Sequence, residues 1–348
     1  MQKVKESMTS EQALALLREQ RFLEGVCLQG VDWSSQDLTG CVLRDVDLRG
    51  ANLQGAVLNQ VRWSGVNMQG VNLQGVMAEH AAWDRCDAAG SVWRQARLAH
   101  CALDACNLTQ ALMEHASITI CDMSDCVLDG LNVSHSDMTR WTVLDANLQS
   151  VRFDHTKLEQ AFFRNCALEK QHFEACDLTL AMFNGCQLQD CSFSGLQLDR
   201  TSFTNAQLQQ SSFDGCTGMY VSWVDANLQG ASMQNASFTR CDASGAQLQQ
   251  LQGHGVRWEG CVLQRAQLQG SQLDASVWTY CDLSHANLDD ASCVNAQWSG
   301  TNTHGLSEHR TRWDGAARDT MPTDPLLWEA EHWQPPAHLL EVFSKDVV

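Results

Sequence analysis

LQSVRFDHTKLEQAFFRNCALEKQHFEACDLTLAMFNGCQLQDCSFSGLQLDRTSFTNAQLQQSSF, residues 148–213, carries a large apolar residue at every fifth position. The series runs Leu148, Phe153, Leu158, Phe163, Leu168, Phe173, Leu178, Phe183, Leu188, Phe193, Leu198, Phe203, Leu208 and Phe213. A Leu/Phe alternation of period ten is thus nested inside a period of five. Five fits neither the 3.6-residue period of a helix nor the period of two of a strand. It fits a chain that makes a short straight run, turns a corner and repeats.

Outward from this stretch the beat holds from Leu28 to Trp298, through 55 units without an insertion or deletion. It begins Leu28, Trp33, Leu38, Leu43 and closes Leu283, Leu288, Cys293, Trp298. Around each apolar centre stand a small residue two before it, often Asn or Asp one before it, and two polar or small residues after it. Ala51–Gly55 and Ala226–Gly230, both AlaAsnLeuGlnGly, show the layout undiluted. ValAsnLeuGlnGly at 71–75 and AlaAsnLeuAspAsp at 286–290 are close variants.

These units resemble the A(D/N)LXX motif of the pentapeptide-repeat family, over about four-fifths of the chain. The resemblance implies an all-β fold: a right-handed quadrilateral β-helix with four pentapeptides per coil, the centre and the small residue pointing inward. On that geometry residues ten apart lie on opposite faces and residues twenty apart stack. Phe153, Phe173, Phe193 and Phe213 then form one column, opposed by Phe163, Phe183 and Phe203. Later the aromatic column moves to a former leucine face as Phe238, Trp258, Trp278 and Trp298. At about 4.8 Å per layer, close to 14 coils give a rod of roughly 65 Å.

The repeat region is read as residues 26–315, between an N-terminal helical cap (1–25) and a C-terminal helical tail (316–348). Thr9 with Gln12 makes a capping box ahead of an amphipathic helix whose apolar face is Ala13, Leu14 and Leu17. Gly218 and Gly253 stand at centres, Ala78, Ala88 and Ala243 underfill theirs, and Trp141 and Gln171 occupy small-residue slots; local bulges or a mild kink are expected there. All four prolines follow Thr320. Pro325 suits the first turn of a helix, and Pro335–Pro336 separate a second segment. An open solenoid end needs covering, so the tail is read as a cap. Its apolar residues Leu326, Leu327, Trp328, Trp333, Leu339, Leu340, Val342 and Phe343 are equally candidates for joining a partner or a second copy.

Net charge is −18, which argues against direct binding to nucleic-acid phosphates and favours solubility and basic partners. No segment approaches the roughly 18 apolar residues of a membrane span. MQKVKESMTSEQ lacks the apolar run of a signal peptide, so a cytoplasmic protein is expected. Of the 16 cysteines, all but Cys27 and Cys293 fall in the small-residue slot. They read as small buried apolar residues rather than disulfides or metal ligands. No GxSxG, phosphate-binding loop, HExxH or CxxC motif is present. No cofactor is expected, and no enzyme.

Two surface constellations remain. His115, His135 and His155 are twenty apart and should stack on one corner, as should His80 and His100. Stacked imidazoles are a weak candidate for binding a transition metal; the bland alternative is histidine tolerated on an exposed corner. Between Arg97 and Arg140 stand six acidic residues and no Lys or Arg, and Asp104, Asp122, Asp125 and Asp145 map to one face. A solvated surface explains such a run; so would imitation of a polyanion. The first expectation for function is a non-enzymatic protein–protein interaction scaffold, a rigid acidic rod. The resemblance admits a bacterial protein serving a secretion system, exported without a signal peptide. The alternative it implies is a DNA mimic that binds DNA gyrase or topoisomerase IV and protects it from inhibitors, dimerising through a C-terminal element. Arg44, Arg62, Arg152, Lys157, Arg164 and Lys170 interrupt the acidity and place that reading second.

Overall fold

The structure, a computed structural model, describes residues 6–321 and 323–333. Each pentapeptide makes a short extended run and a tight turn. The turn closes by a hydrogen bond from the residue three after a centre to that centre's carbonyl, as from Cys41 N to Leu38 O at 2.9 Å. Two residues after nearly every centre the backbone takes positive φ, whether the residue is glycine (Gly55, φ 67°) or not (His135, φ 60°; Gln160, φ 57°). That left-handed corner redirects the chain. Asn or Asp just before the centre supports the turn, because its side-chain oxygen accepts from the backbone two residues on. Examples are Gln54 N to Asn52 Oδ1 at 3.2 Å and Thr179 N to Asp177 Oδ1 at 3.0 Å.

Four such units make one turn of a parallel β-solenoid of about 15 turns with two short helices. The register is twenty residues throughout, from Glu6 on Val26 to Gln297 on Ala317. Nine strands from Phe22–Glu24 to Met182–Asn184 form one parallel ladder, and six from Thr217–Met219 to Ala317–Met321 form another. Single bridges such as Asp32 with Asn52 and Gln207 with Asn227 join other faces. The first ladder therefore includes strand Phe22–Glu24, inside the stretch read as the N-terminal cap, and the second includes strand Ala317–Met321, inside the stretch read as the tail.

Phenylalanine columns fill the middle of the rod. Rings stack nearly parallel within a column, Phe163 on Phe183 and Phe173 on Phe193 both at 5.0 Å and 9°. Between columns they meet edge-on, Phe203 to Phe213 at 5.6 Å and 84°. Both arrangements suit the ring quadrupole. Trp223 ends the old arrangement, 9° from Phe203, and opens the new one at 81° to Phe238.

The expected bulges at the irregular centres do not occur. The register of twenty runs through Gly218, paired with Phe238, and through Ala78, paired with Leu98. Among the described pairings that carry named strands, the shift is at the last coil, between Ser299 and Thr301. Neighbours fill each gap. A Cβ on Gly218 would lie 2.6 Å from Val221 Cγ2, and one on Gly253 would meet Leu273 and Val256 at 2.9 and 3.3 Å. Each valine stands in the next small-residue slot and takes the space that glycine leaves. Trp141 wedges against Phe153 and Phe163. Gln171 donates its amide to the carbonyls of Leu148, Gln149 and Val151 at 2.7–2.9 Å.

The small-residue slot also has a polar role. Cys176 Sγ donates to Phe153 O and Cys216 Sγ to Phe193 O, both at 2.9 Å, a span of 23 residues. Thr156 and Thr201 make the same bond from the same slot. Burial pushes the thiols of Cys176, Cys191 and Cys216 up to about 12, so they stay protonated donors.

The two ends differ. Helix α1 (Ser10–Gln20) carries the Thr9–Gln12 capping box and lays Ala13 and Leu17 on the first coil, with Leu14 and Leu16 half-buried beside them. Trp33 Nε1 donates to Ser10 Oγ at 3.1 Å and ties helix to core. At the other end the last layer is closed by its own polar residues: Arg318 lies 4.0 Å over the Trp313 ring and bonds Glu308 at 2.7 Å. Helix α2 (Pro325–Glu331), with Asp324 as N-cap, buries none of its residues. The second tail segment, including Leu339, Leu340, Val342 and Phe343, lies outside the described residues. No described helix is long and apolar enough to cross a membrane.

This packing can be tested in two ways. Gly218→Ala should destabilise the fold by about 1–3 kcal/mol through overpacking, and adding Val221→Ala should recover part of that loss in thermal unfolding; a neutral single variant would contradict the gap-filling. A thiol reagent should titrate no more than Cys27 in the native protein and all 16 thiols in denaturant, because every other cysteine is buried.

Candidate interaction surfaces

Because both inward positions of each unit are used by the core, the chemistry open to solvent lies on corners, outward strand positions and the tail. The four acidic candidates do share a face. Asp104 ends strand Ala102–Asp104, Asp122 begins strand Asp122–Ser124, and Asp125 and Asp145 sit one above the other on the next corner. Among the described residues Asp104, Asp122 and Asp125 join no ion pair, while Asp145 accepts from Asn165 Nδ2 at 3.0 Å. One layer earlier Asp84 is paired with Arg85 at 2.6 Å. The Ser64 hydroxyl and that guanidinium hold its carboxyl below the usual range. Arg164 follows on the other side. The patch is thus a short island between arginines.

Much of the remaining acidity is structural. Asp32, Asp37, Asp87, Asp137 and Asp242 each cap a turn with a side-chain oxygen. Their charges are spread around the rod by the repeat, not gathered on one side.

The histidines stack as their spacing predicts. Ring centroids are 5.2 Å apart for His115 and His135, 4.8 Å for His135 and His155, and 5.1 Å for His80 and His100. All five are positive-φ corner residues. Histidine, like Asn and Asp, is enriched in that conformation, which accounts for its recurrence without a ligand. The stacked geometry also works against sharing an ion. Nitrogen lone pairs lie in the ring planes, so stacked rings aim them alongside one another rather than at one centre.

At the C-terminal end α2 presents Leu326, Leu327 and Trp328 to solvent, and Trp333 follows just beyond it, Leu326 being 78% and Trp333 64% exposed. Between α2 and the last coil lies a cleft of about 730 Å³ lined by Leu306, Glu308, His309, Pro325 and Trp328. What holds α2 in place is a contact that the spacing of the repeat does not reveal. Glu331 bonds His285 Nε2 at 3.2 Å and His304 Nε2 at 3.0 Å. His285 and His304 are nineteen residues apart, out of step with the stacking period, and Glu331 is in the tail. No motif or periodicity links the three.

A sequence model of the pentapeptide repeat region matches residues 168–248, and one of pentapeptide repeats in eight copies matches 23–55, 47–81 and 266–302. Among solved structures, full-length QnrB1, a plasmid-mediated fluoroquinolone resistance protein, is 14% identical. The match covers 57% of this chain and 100% of that one, with a TM-score of 0.28. HetL, a pentapeptide repeat protein involved in heterocyst differentiation regulation from the cyanobacterium Nostoc sp., is 17% identical over 89% and 94% of the two chains, with a TM-score of 0.17. A pentapeptide repeat protein from the Arabidopsis thaliana thylakoid lumen is 23% identical over 42% and 77%, with a TM-score of 0.19. No curated protein matches the chain.

From the parallel ring planes, His135→Ala should leave metal uptake unchanged in a titration against the unaltered protein. A lost equivalent would show that the ladder does ligate.

Proposed function

The chain belongs to the pentapeptide-repeat family, and from that premise we propose that it is a non-enzymatic scaffold for protein–protein interaction, a rigid acidic rod that offers its faces and C-terminal tail to partner proteins. One observation carries the reading. α2 buries none of its residues, yet holds two leucines and a tryptophan in an ordered, solvent-facing row at the rod's end. Exposed apolar residues grouped on one element mark contact sites more often than they mark a free surface. Such a row can equally receive a second copy, making an end-to-end homodimer. A bacterial, cytoplasmic setting, with service to a secretion system as its specific form, is part of the same proposal.

The second reading, a DNA mimic acting on gyrase or topoisomerase IV, is favoured by the unpaired carboxylates Asp104, Asp122 and Asp125 beside Asp145. Charge density places it behind the first. Three layers at about 4.8 Å span about 10 Å, over which duplex DNA would hold about six charges at one per ~1.7 Å. Here four carboxylates occupy that length and arginines bound it.

Partner capture from the source cell by the full chain should fall at least tenfold in the double variant Leu326→Asp, Trp333→Asp, with thermal stability unchanged because neither side chain is buried. Equal capture by variant and wild type would move the interface off α2 and the Trp333 that follows it. In a supercoiling assay excess protein should leave gyrase activity and its inhibitor sensitivity unaltered; inhibition or protection would bring the mimic forward.

A further inference from the structure

At the corner where the last coils meet α2, two imidazoles and a carboxylate from three separate parts of the chain converge. One ligand atom from each of His285, His304 and Glu331 lies within 4.8 Å of the others. In a tetrahedral site with bonds of about 2.0–2.1 Å, neighbouring ligand atoms are about 3.3 Å apart. The nitrogen–oxygen separations, 3.2 Å from His285 Nε2 to Glu331 Oε1 and 3.0 Å from His304 Nε2 to Glu331 Oε2, are close to that length, each to its own carboxylate oxygen. The two ring nitrogens, within 4.8 Å of each other, need close by no more than about 1.5 Å to meet it, a movement open to the part-exposed His285 ring.

The rings are also oriented differently from the stacked ladders. His285 and His304 meet at 87°, with centroids 5.2 Å apart, so their in-plane lone pairs can point to one centre. The backbone sets this relation: His285 N donates to His304 O at 2.8 Å, and His304 N to Asn302 Oδ1 at 3.1 Å. His304 is buried and lies at 73° to the Trp328 ring of α2. Its Nδ1 is buried with no partner among the described residues. The hydrogen bond from His304 holds the Glu331 carboxyl below its usual range. A cleft of about 310 Å³, lined also by Arg265, Asp282 and Ser284, gives solvent access.

We propose that His285, His304 and Glu331 form a site for a first-row divalent cation, best matched by zinc, that clips α2 to the side of the solenoid. Two imidazoles with one carboxylate exclude magnesium and calcium, which take all-oxygen sets, and leave a fourth position for water. Ligation through Nε2 moves the His304 proton to Nδ1, where no acceptor backs it. The site is therefore weaker than a structural zinc site whose histidines are each supported by an outer hydrogen bond. Its consequence is mechanical. α2 buries nothing and is held by Glu331 and the Trp328–His304 contact; an ion would turn that hold into coordination bonds. This inference does not depend on which partner the tail meets.

The test uses the full chain and two variants, Glu331→Gln and His285→Gln. Gln keeps an acceptor for the imidazoles at 331, and glutamine already occupies many positive-φ corners of this chain. The histidine ladders and buried thiols remain in all three proteins, so differences isolate this site. Calorimetric titration with zinc chloride should show one equivalent in the wild type that each variant loses or binds more than about 10–100-fold more weakly, the range typical of losing only an outer partner. Amide exchange over residues 325–331 should slow on adding zinc in the wild type and not in the variants. Identical zinc stoichiometry and affinity in all three proteins would overturn the proposal. So would zinc uptake that leaves α2 exchange unchanged in the wild type.

Discussion

Nearly every corner of this rod is a residue held at positive φ, and the rest of the structure follows from that constraint. For residues other than glycine the left-handed conformation costs about 1–2 kcal/mol, and dozens of corners carry that strain. Each is compensated by bonds that exist only in the stacked solenoid: the corner amide reaches the next coil, as His135 N does to Asp154 O at 2.9 Å, and the turn closes behind it. A net gain of about 1 kcal/mol per hydrogen bond roughly offsets the strain at one corner. No single coil is stable on these terms, so the conformation persists because the coils above and below determine it. An insertion of one residue would misplace every later side chain, which is why the beat never slips.

Within that frame, the core tolerates irregular residues as long as a neighbour answers them. Val221 answers Gly218, Val256 answers Gly253, and the Gln171 amide donates to three carbonyls of the preceding coil. The cysteines follow the same rule of volume, with a hydrogen bond added. Serine plays a related part for tryptophan: Ser91 and Ser276 accept from Trp93 and Trp278 at 2.7 and 2.8 Å, placing an acceptor where a buried indole needs one.

Because corners and turn caps consume so many polar residues, residue type on the surface is a poor guide to function here. The stacked histidines are corner residues first, and many aspartates are turn caps first. The features that stand apart are those that break the repeat's logic: a solvent-facing apolar helix, and a carboxylate from that helix between two histidines nineteen residues apart. Both lie at the C-terminal end, opposite the end that α1 seals with buried Ala13 and Leu17.

The spacing of Leu148 to Phe213 gave the period of five, and the resemblance to A(D/N)LXX repeats implied the four-sided core and its inward positions; together they placed the opposed phenylalanine columns and the migration of the aromatics toward Trp298, because a stacking repeat of twenty leaves one way to superpose the layers. The capping box at Thr9 and the first-turn Pro325 were equally legible, since both depend on neighbours in sequence. What period alone left open was how non-periodic residues are absorbed and where the tail lies. The filling of Gly218, the bonds of Gln171 and the closing of the last layer by Arg318 over Trp313 arise from contacts between coils. The joining of Glu331 to His285 and His304 is set by the path of the chain beyond the last repeat, where no periodicity constrains it and only the folded molecule brings the three side chains together.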